Sequence, residues 1–485
     1  MKQIYLITIV LLSLNSYPQG VWKLQRNNTD VTSFKSIFML DKKTGWAGGN
    51  GSFINTSAIY HYNGYKWEGE GYASYWTRSI HFADKNNGFA VGEYGAISKY
   101  KNNKWQAEPY ITDFWLNSVY MTDSLNAWAV GVKDQYNYSQ LLRYKAGKWS
   151  ISDTTCKGAF YSLFFTDTGK GWAAGGRYDF VYTSSGFVAK KHYAIMKYSS
   201  GRWAVQDTGD AYHPLMSVYM LDSAKGWAVG DSGTILHYDG KKWTKQDCPV
   251  KANLYSVCFV DENNGWAVGN DLNSNNDWVG IILKYDGKEW SVQKSYVGWG
   301  FNSVYFTDLY NGWAVGGDFD WGIILKYSFG YTVSGQLLYG GRADKPLAGV
   351  TVYLVDKEGV RINKTVSDSA GAYKFEFIEP EDYSLLCETK EAWGGSDPVD
   401  ALLCNKYFLR MYNFDSALHK AAADVNADNI VNPIDALYIN RRFINLLGKF
   451  NKADWLFENP HFTITGSDIQ ININALCTGD PNASK

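Results

Sequence analysis

Residues 226–243 read GWAVGDSGTILHYDGKKW. Two glycines bound a short apolar run, as in a buried strand. A second apolar run ends at Tyr238, and Asp239–Gly240 marks a hairpin turn into a further strand that carries Trp243. The chain writes a version of this phrase seven times. Each copy is preceded by a stretch like NSVYFTD, which alternates polar and apolar as a half-buried strand does. The copies share a serine (Ser36, Ser79, Ser118, Ser162, Ser217, Ser256, Ser303) and an aspartate five residues on (Asp41, Asp84, Asp123, Asp167, Asp222, Asp261, Asp308). Five further on stands an aromatic: Trp46, Phe89, Trp128, Trp172, Trp227, Trp266 and Trp313. Consecutive serines are 39 to 55 residues apart.

Four strands at that period make one blade of a β-propeller. In six copies a third-strand tyrosine is followed five residues later by a fourth-strand tryptophan, from Tyr62 and Trp67 to Tyr285 and Trp290. The seventh copy breaks the rule, because Tyr327 is followed at that distance by Thr332. The stretch GVWKLQ, at residues 20–25, resembles the fourth-strand phrase KWTKQ and precedes the first copy. Trp22 is therefore expected in the fourth strand of blade seven, so that the two ends of the ring share one sheet and no edge is left exposed. The pattern resembles the seven-bladed propellers of the photosystem stability factor type and the sialidase-like repeat proteins. That resemblance covers residues 20–329 and implies fold rather than activity. The sialidase Asp-box is not clearly present, and no arginine triad can be placed.

A residue present in every blade serves the blade, so the repeated Ser, Asp and Trp are read as structural. Function is expected where the copies differ. The second-to-third and fourth-to-first connections fall on one face, and they are rich in aromatics. They gather Trp76, Trp115, Trp278, Trp299 and Trp321, with Arg78, Asp271, Asp277, Asp318 and Asp320 among them. The residue before each repeated serine is expected at the channel mouth: Lys35, Arg78, Asn117, Tyr161, Met216, Tyr255 and Asn302. Aromatic faces beside amides and charges suit a carbohydrate or a peptide; the alternative is that these aromatics only pack the loops. A propeller glycoside hydrolase or polysaccharide lyase is the other functional reading, and it needs paired carboxylates, for which Asp277, Asp318 and Asp320 are the candidates. No GxSxG or HExxH motif occurs.

The chain begins with Lys2, an apolar run from Ile4 to Leu14, and then small and polar residues. That pattern predicts a secretory signal peptide over 1–19 and a secreted or cell-surface location, with no later membrane span. A net charge of −1 offers no bulk attraction to nucleic acid. An aromatic content of 16% suits pleated sheets, so the chain is expected to be mainly β. Six scattered cysteines form neither a disulfide framework nor a zinc motif.

Residues 330–388 change character. KPLAGVTVYLVD and SDSAGAYKFEFIEPEDYSL alternate between turn residues, as in a small β-sandwich. They resemble the carboxypeptidase regulatory-like domain, which implies a spacer without a site.

Residues 389–485 contain DVNADNIVNPIDALYINRRF. Oxygen-bearing side chains fall at Asp424, Asn426, Asp428, Asn432 and Asp435, positions one, three, five, nine and twelve of a loop in which Ile430 offers its carbonyl at seven. That spacing wraps Ca2+ in oxygens, and a helix comes directly after it. Asp at position twelve is typical of type I dockerins, which this stretch resembles. The resemblance implies a second copy, and SDPVDALLCNKYFLR matches at an offset of 35, with Asp397 and Asp400 in place of Asn432 and Asp435. The front half of that copy is missing. Asp480, Asn482 and Ser484 have its spacing, so the end of the chain is expected either to fold back and complete a second site, with Cys477 near Cys404, or to fray. The resemblance also implies a cohesin-like or other cell-surface partner, touched by Pro433, Ile434, Arg441 and Arg442, and by Pro398, Val399 and Lys406 in the first copy. The segment 455–477 departs from the family and is expected to pair over the helices.

Overall fold

The computed structural model describes residues 20–28, 30–51, 56–133, 138–183, 186–210, 214–273, 275, 277–317 and 321–485. The expected signal peptide and the candidates Asp318 and Asp320 lie outside these residues. Two compact units are present, Val21–Ser328 and Phe329–Lys485.

The first unit is a seven-bladed propeller of four-stranded antiparallel sheets. Six blades are meanders of consecutive strands. The seventh combines Gly300–Phe306, Asn311–Gly317 and Gly322–Ser328 with Val21–Asn28 as its outer strand. Trp22 lies opposite Tyr327, the register that Trp67 has to Tyr62. All seven Tyr–Trp ring pairs have centroids between 5.1 and 5.3 Å apart, the Trp22–Tyr327 pair included.

The repeated residues hold blade to blade. Each serine hydroxyl accepts a hydrogen bond from a backbone N–H in the first strand of the next blade, from Ile80 N onto Ser36 (3.0 Å) round to Ile37 N onto Ser303 (3.3 Å). Each aspartate accepts the N–H two residues ahead, at 2.6–2.8 Å, and so closes the first hairpin. Trp46, Trp128, Trp227 and Trp266 stack on a phenylalanine of the following blade, Trp46 on Phe82 at 3.6 Å, while Trp172 and Trp313 share a core cluster with Met220 and Met39 there. At the outer edge, Trp22, Trp67 and Trp290 donate their indole N–H to Gln293, Gln25 and Gln246 of the preceding blade. Trp203 has no partner there, because the blade before it carries Ser152 in the glutamine position and the hydroxyl is too short to reach.

Two residues past each serine, a layer of side chains lines the channel: Phe38, His81, Tyr120, Phe164, Tyr219, Cys258 and Tyr305. His81 packs between Phe38 (4.6 Å) and Tyr120 (4.1 Å), and its Nδ1 accepts the Met121 N–H at 3.2 Å. Burial pushes its imidazole pKa down to about 3, so this histidine is neutral.

The second unit is a two-sheet sandwich carrying three helices. One sheet orders Ala372–Ile378, Tyr331–Tyr339, Ile473–Cys477 and Trp455–Phe457; the other orders Arg361–Val366, Thr351–Asp356, Asp382–Glu388 and His461–Thr463. Val333, Leu337, Val352, Leu354, Phe375, Leu385 and Ile473 fill the space between them. The segment 455–477 forms the expected strand pair, Trp455–Phe457 against Ile473–Cys477, with Leu418 and Ala422 of the helical segment packed on it, and the pair is also part of the sandwich. Its strands enter both sheets, and Ile473 takes a parallel register beside Leu337. The physical reason is apolar area on both faces: Ile473 is fully buried in the sandwich core, while Leu476 and Cys477 are fully buried against Leu418 and Ala422.

Helices α1 (Pro398–Phe408), α2 (Ala417–Ala423) and α3 (Pro433–Phe443) lie between these strands in sequence. Both α1 and α3 start with proline in the first turn and a reciprocal capping box, Asp397 with Asp400 and Asn432 with Asp435. Ala401, Cys404, Val425, Val431, Ala436 and Ile439 are buried between them. Cys404 and Cys477 are free thiols that pack in different clusters.

Candidate functional site

The loop before α3 is arranged as an oxygen cage. Asp424 is 5% exposed and Asp435 fully buried. Asp424 accepts the N–H groups of Asp428 (3.2 Å) and Asn429 (3.3 Å), while Asp435 accepts those of Val425 (2.9 Å) and Asn432 (3.0 Å). Ala427 and Asn429 take left-handed backbone, at φ 65° and 66°, which folds the loop onto itself. Asn426 Nδ2 donates to Asp428 Oδ2 at 2.8 Å, and Asn432 Nδ2 reaches toward the Ile430 carbonyl at 3.4 Å. All six expected donors thus belong to one turn of chain. Burial, and then Asp424, push the Asp435 carboxyl above its ordinary range, against the N–H groups that lower it. Lys452 Nζ, 3.4 Å from Asp424 Oδ2, is the cation that faces the pair.

Among the described residues, no three His, Cys, Asp or Glu side chains stand together as a ready metal cluster. Here the carboxylates turn onto the loop's own N–H groups. A hard, oxygen-seeking cation fits this donor set, since it carries no thiolate or imidazole. Asp424, Asn426, Asp428, Asn432 and Asp435 would hold Ca2+ through side chains, and Ile430 through its carbonyl.

The helices after the two capping boxes present apolar side chains to solvent: Val399 and Phe408 from the α1 region, Ile434, Leu437 and Phe443 from α3, each about half exposed. Pro433, Ile434 and Arg441 stand on this surface, as do Pro398 and Lys406. Arg442 does not. It is 6% exposed, stacked at 3.5 Å over Trp393 and ion-paired to Asp454 at 2.7 Å, so its role is in packing. Sequence alone could not separate two adjacent arginines, one facing out and one in.

The propeller mouth has a feature that the sequence only half discloses. In all seven blades the pairing of the first two strands slips at the residue before the serine. Lys35, Arg78, Asn117, Tyr161, Met216, Tyr255 and Asn302 are thus the extra residues of seven β-bulges, left out of the ladder and half-buried. The last glycine of GWAVG and its counterparts explain why the bulge fits. A Cβ at Gly92 or Gly230 would collide with the carbonyl of Trp76 or Pro214 across the bulge.

These bulges serve two adjoining groups. In the first, Arg78 pairs with the buried Glu93 at 2.6 Å, donates to Asn117 Oδ1 at 3.2 Å, and lies 5.1 Å over the Trp115 ring. In the second, a cleft of about 310 Å³ is lined by Thr32, Ser33, Lys35, Asn270, Trp278 and Asn302. Asn302 donates to Ser33 Oγ (3.0 Å) and to the Phe34 carbonyl (2.8 Å). Lys35 links the groups: burial first, and then Arg78, push its ammonium below the ordinary value, with Glu93 opposing.

The other candidates are more scattered. Trp299 stacks on Tyr296 at 5.2 Å, and Trp76 is half-buried with its indole N–H unpartnered. Trp321 is 46% exposed. Tyr255 hydrogen-bonds with Asn253 and Asn270. Asp271 and Asp277 accept hydrogen bonds within their own loop. Lys35 stands in the cleft as the sequence placed it at the mouth, while Thr32, Ser33, Asn270 and Glu93 were missed; Glu93 sits in a tight turn, with Tyr94 at φ 53°, which the run GEYGA hinted at.

Comparison with known proteins bears on each part of the chain. Residues 329–394 match the family model for the BOS complex subunit NOMO1-like second beta sandwich domain, and residues 397–444 match the dockerin type I domain. No curated protein matches the chain. Similar solved structures include one described as YCF48 bound to D1 peptide (16% identity, TM-score 0.47, 64% of this chain and 96% of that one). Another is YCF48 from Cyanidioschyzon merolae (14% identity, TM-score 0.46, 63% and 98%). The WD40 β-propeller domain of Doa1 is a third (10% identity, TM-score 0.45, 63% and 97%). The chain is thus a modular β protein that combines a propeller with a segment similar to NOMO1-like sandwiches and a segment similar to type I dockerins.

Proposed function

We propose that this is an exported, non-catalytic attachment protein. Its propeller mouth binds a carbohydrate, and its calcium-stabilised helices dock on a cohesin-like protein. The observation that supports ligand binding is the set of seven bulges. They release seven different side chains from an otherwise repeated scaffold, beside a cleft with one indole face and several amide and hydroxyl groups. Trp278, 39% exposed, offers the stacking face. Asn270, Ser33 and Thr32 offer hydrogen bonds. Lys35 and Arg78 favour a sugar that carries a carboxylate or sulfate. The glycosidase reading would need Asp277 paired with Asp318 or Asp320, and the last two lie outside the described residues.

The test is a glycan array probed with the full chain, with titration of any hit. Acidic oligosaccharides should bind, and Trp278→Ala should weaken them at least tenfold, about 1.4 kcal/mol. Binding that is indifferent to both Trp278→Ala and Lys35→Ala would sink the proposal. A peptide as the only hit would move the ligand class but keep the site.

A further inference from the structure

Residues 480–485 repeat the loop at 424–429 in sequence and in hydrogen bonding. DPNASK stands against DVNADN. Asp424 accepts the N–H groups of Asp428 and Asn429; Asp480 accepts those of Ser484 (2.8 Å) and Lys485 (3.0 Å), oxygen for oxygen. Ala427 has φ 65°, and Ala483 has φ 56°. The first loop continues past 429 with Ile430, Asn432 and Asp435. At the offset of 35 these are Gly395, Asp397 and Asp400. Ser484 Oγ lies 2.6 Å from the Gly395 carbonyl. Asp400 Oδ2 accepts the Asp397 N–H at 2.8 Å, as Asp435 Oδ2 accepts that of Asn432 at 3.0 Å.

We propose that residues 480–484 and 395–400 are the two halves of one calcium loop, split by about eighty residues of sequence and joined only in the fold, so that Phe329–Lys485 holds two calcium ions.

The repeated geometry is one support. Two orphaned oxygens are the other. Asp400 is fully buried, yet its Oδ1 has no hydrogen-bond partner, and neither has Asn482 Oδ1. These are the oxygens at loop positions twelve and three. Asp400 and Asp480 are both fully buried, and a divalent cation between them would set opposite charge against two desolvated carboxylates. The front half is also built in place. Asp480 Oδ2 accepts the Tyr339 hydroxyl at 2.5 Å, and Lys345 Nζ holds the Ala483 carbonyl at 2.9 Å. Two sandwich side chains thus carry the first half of the loop to α1.

This goes beyond the loop at 424–435 but rests on the same chemistry, so the experiment separates the two. The full chain is stripped with EGTA and titrated with calcium chloride, and bound ions are counted by native mass spectrometry and calorimetry. Wild type should bind two. Asp424→Ala should remove one. Asn482→Ala with Ser484→Ala, at positions outside the hydrophobic core, should weaken the other at least tenfold. Deleting 480–485 should remove it but also disturbs Tyr339, so the double variant decides. A single wild-type ion, lost in Asp424→Ala and untouched by the double variant, overturns the split loop. An ion lost in the double variant and kept in Asp424→Ala supports it while sinking the continuous loop.

Discussion

The propeller and the C-terminal unit both complete an element with chain from far away, and they do so under different constraints. In the propeller, Val21–Asn28 fills a place defined six times over by other blades. Its register and ring distance match theirs, and its indole bonds a glutamine as those of Trp67 and Trp290 do. In the C-terminal unit, Ile473–Cys477 fills a place in the sandwich that occurs once. A repeat turns a missing residue into a visible gap, and a unique sheet does not. Closure is therefore predictable where a pattern exists and is decided by packing where none does.

The comparison can be broken most directly at Trp22. If its blade is closed like the others, Trp22→Ala should cost ~3–5 kcal/mol in urea unfolding of the propeller, as Trp67→Ala should. A cost under 1 kcal/mol for Trp22 alone would mean that the strand only rests on the ring. The next effect concerns acid. His81 sits where two other blades have Phe38 and Phe164. Its folded pKa of about 3 lies below the ordinary 6.5, so the unfolded chain binds the proton first. Stability is complete above pH 6.5 and falls as pH drops from there toward 3, by about 3 kcal/mol at pH 4.5. His81→Phe should flatten that limb in pH-dependent melts, at a cost of about 1 kcal/mol at neutral pH for the lost Met121 bond. An unchanged acid limb would remove histidine burial as its cause. The smallest effect sharpens the helical half. Arg442→Ala should cost about 2 kcal/mol through its lost stacking and ion pair, while Arg441→Ala stays within about 0.5 kcal/mol. Equal costs would return both residues to the partner surface.

Much of the fold was readable because its determinants are local and repeated. The Ser, Asp and GWAVG elements each act within one or two blades, so seven copies announce seven blades. The continuous loop at 424–435, proposed for calcium, was readable for a similar reason, since its oxygen-bearing residues lie within twelve positions. The mouth was less so. Lys35 and Arg78 follow the serine spacing, but no spacing rule ties either to Glu93, which reaches Arg78 from a tight turn. Arg442 differs from Arg441 only in which way one turn of helix faces.

The amino-acid pattern alone was enough to set the number of blades, the partner of Tyr327 and the capping box of Asn432 with Asp435, because a strand period, an aromatic pair and a helix start are short-range facts. The tertiary structure decided that 455–477 belongs to the sandwich, that one of two arginines is buried, and that Ser484 meets Gly395. Those outcomes depend on which distant surfaces exclude water together, and a linear spacing does not encode that.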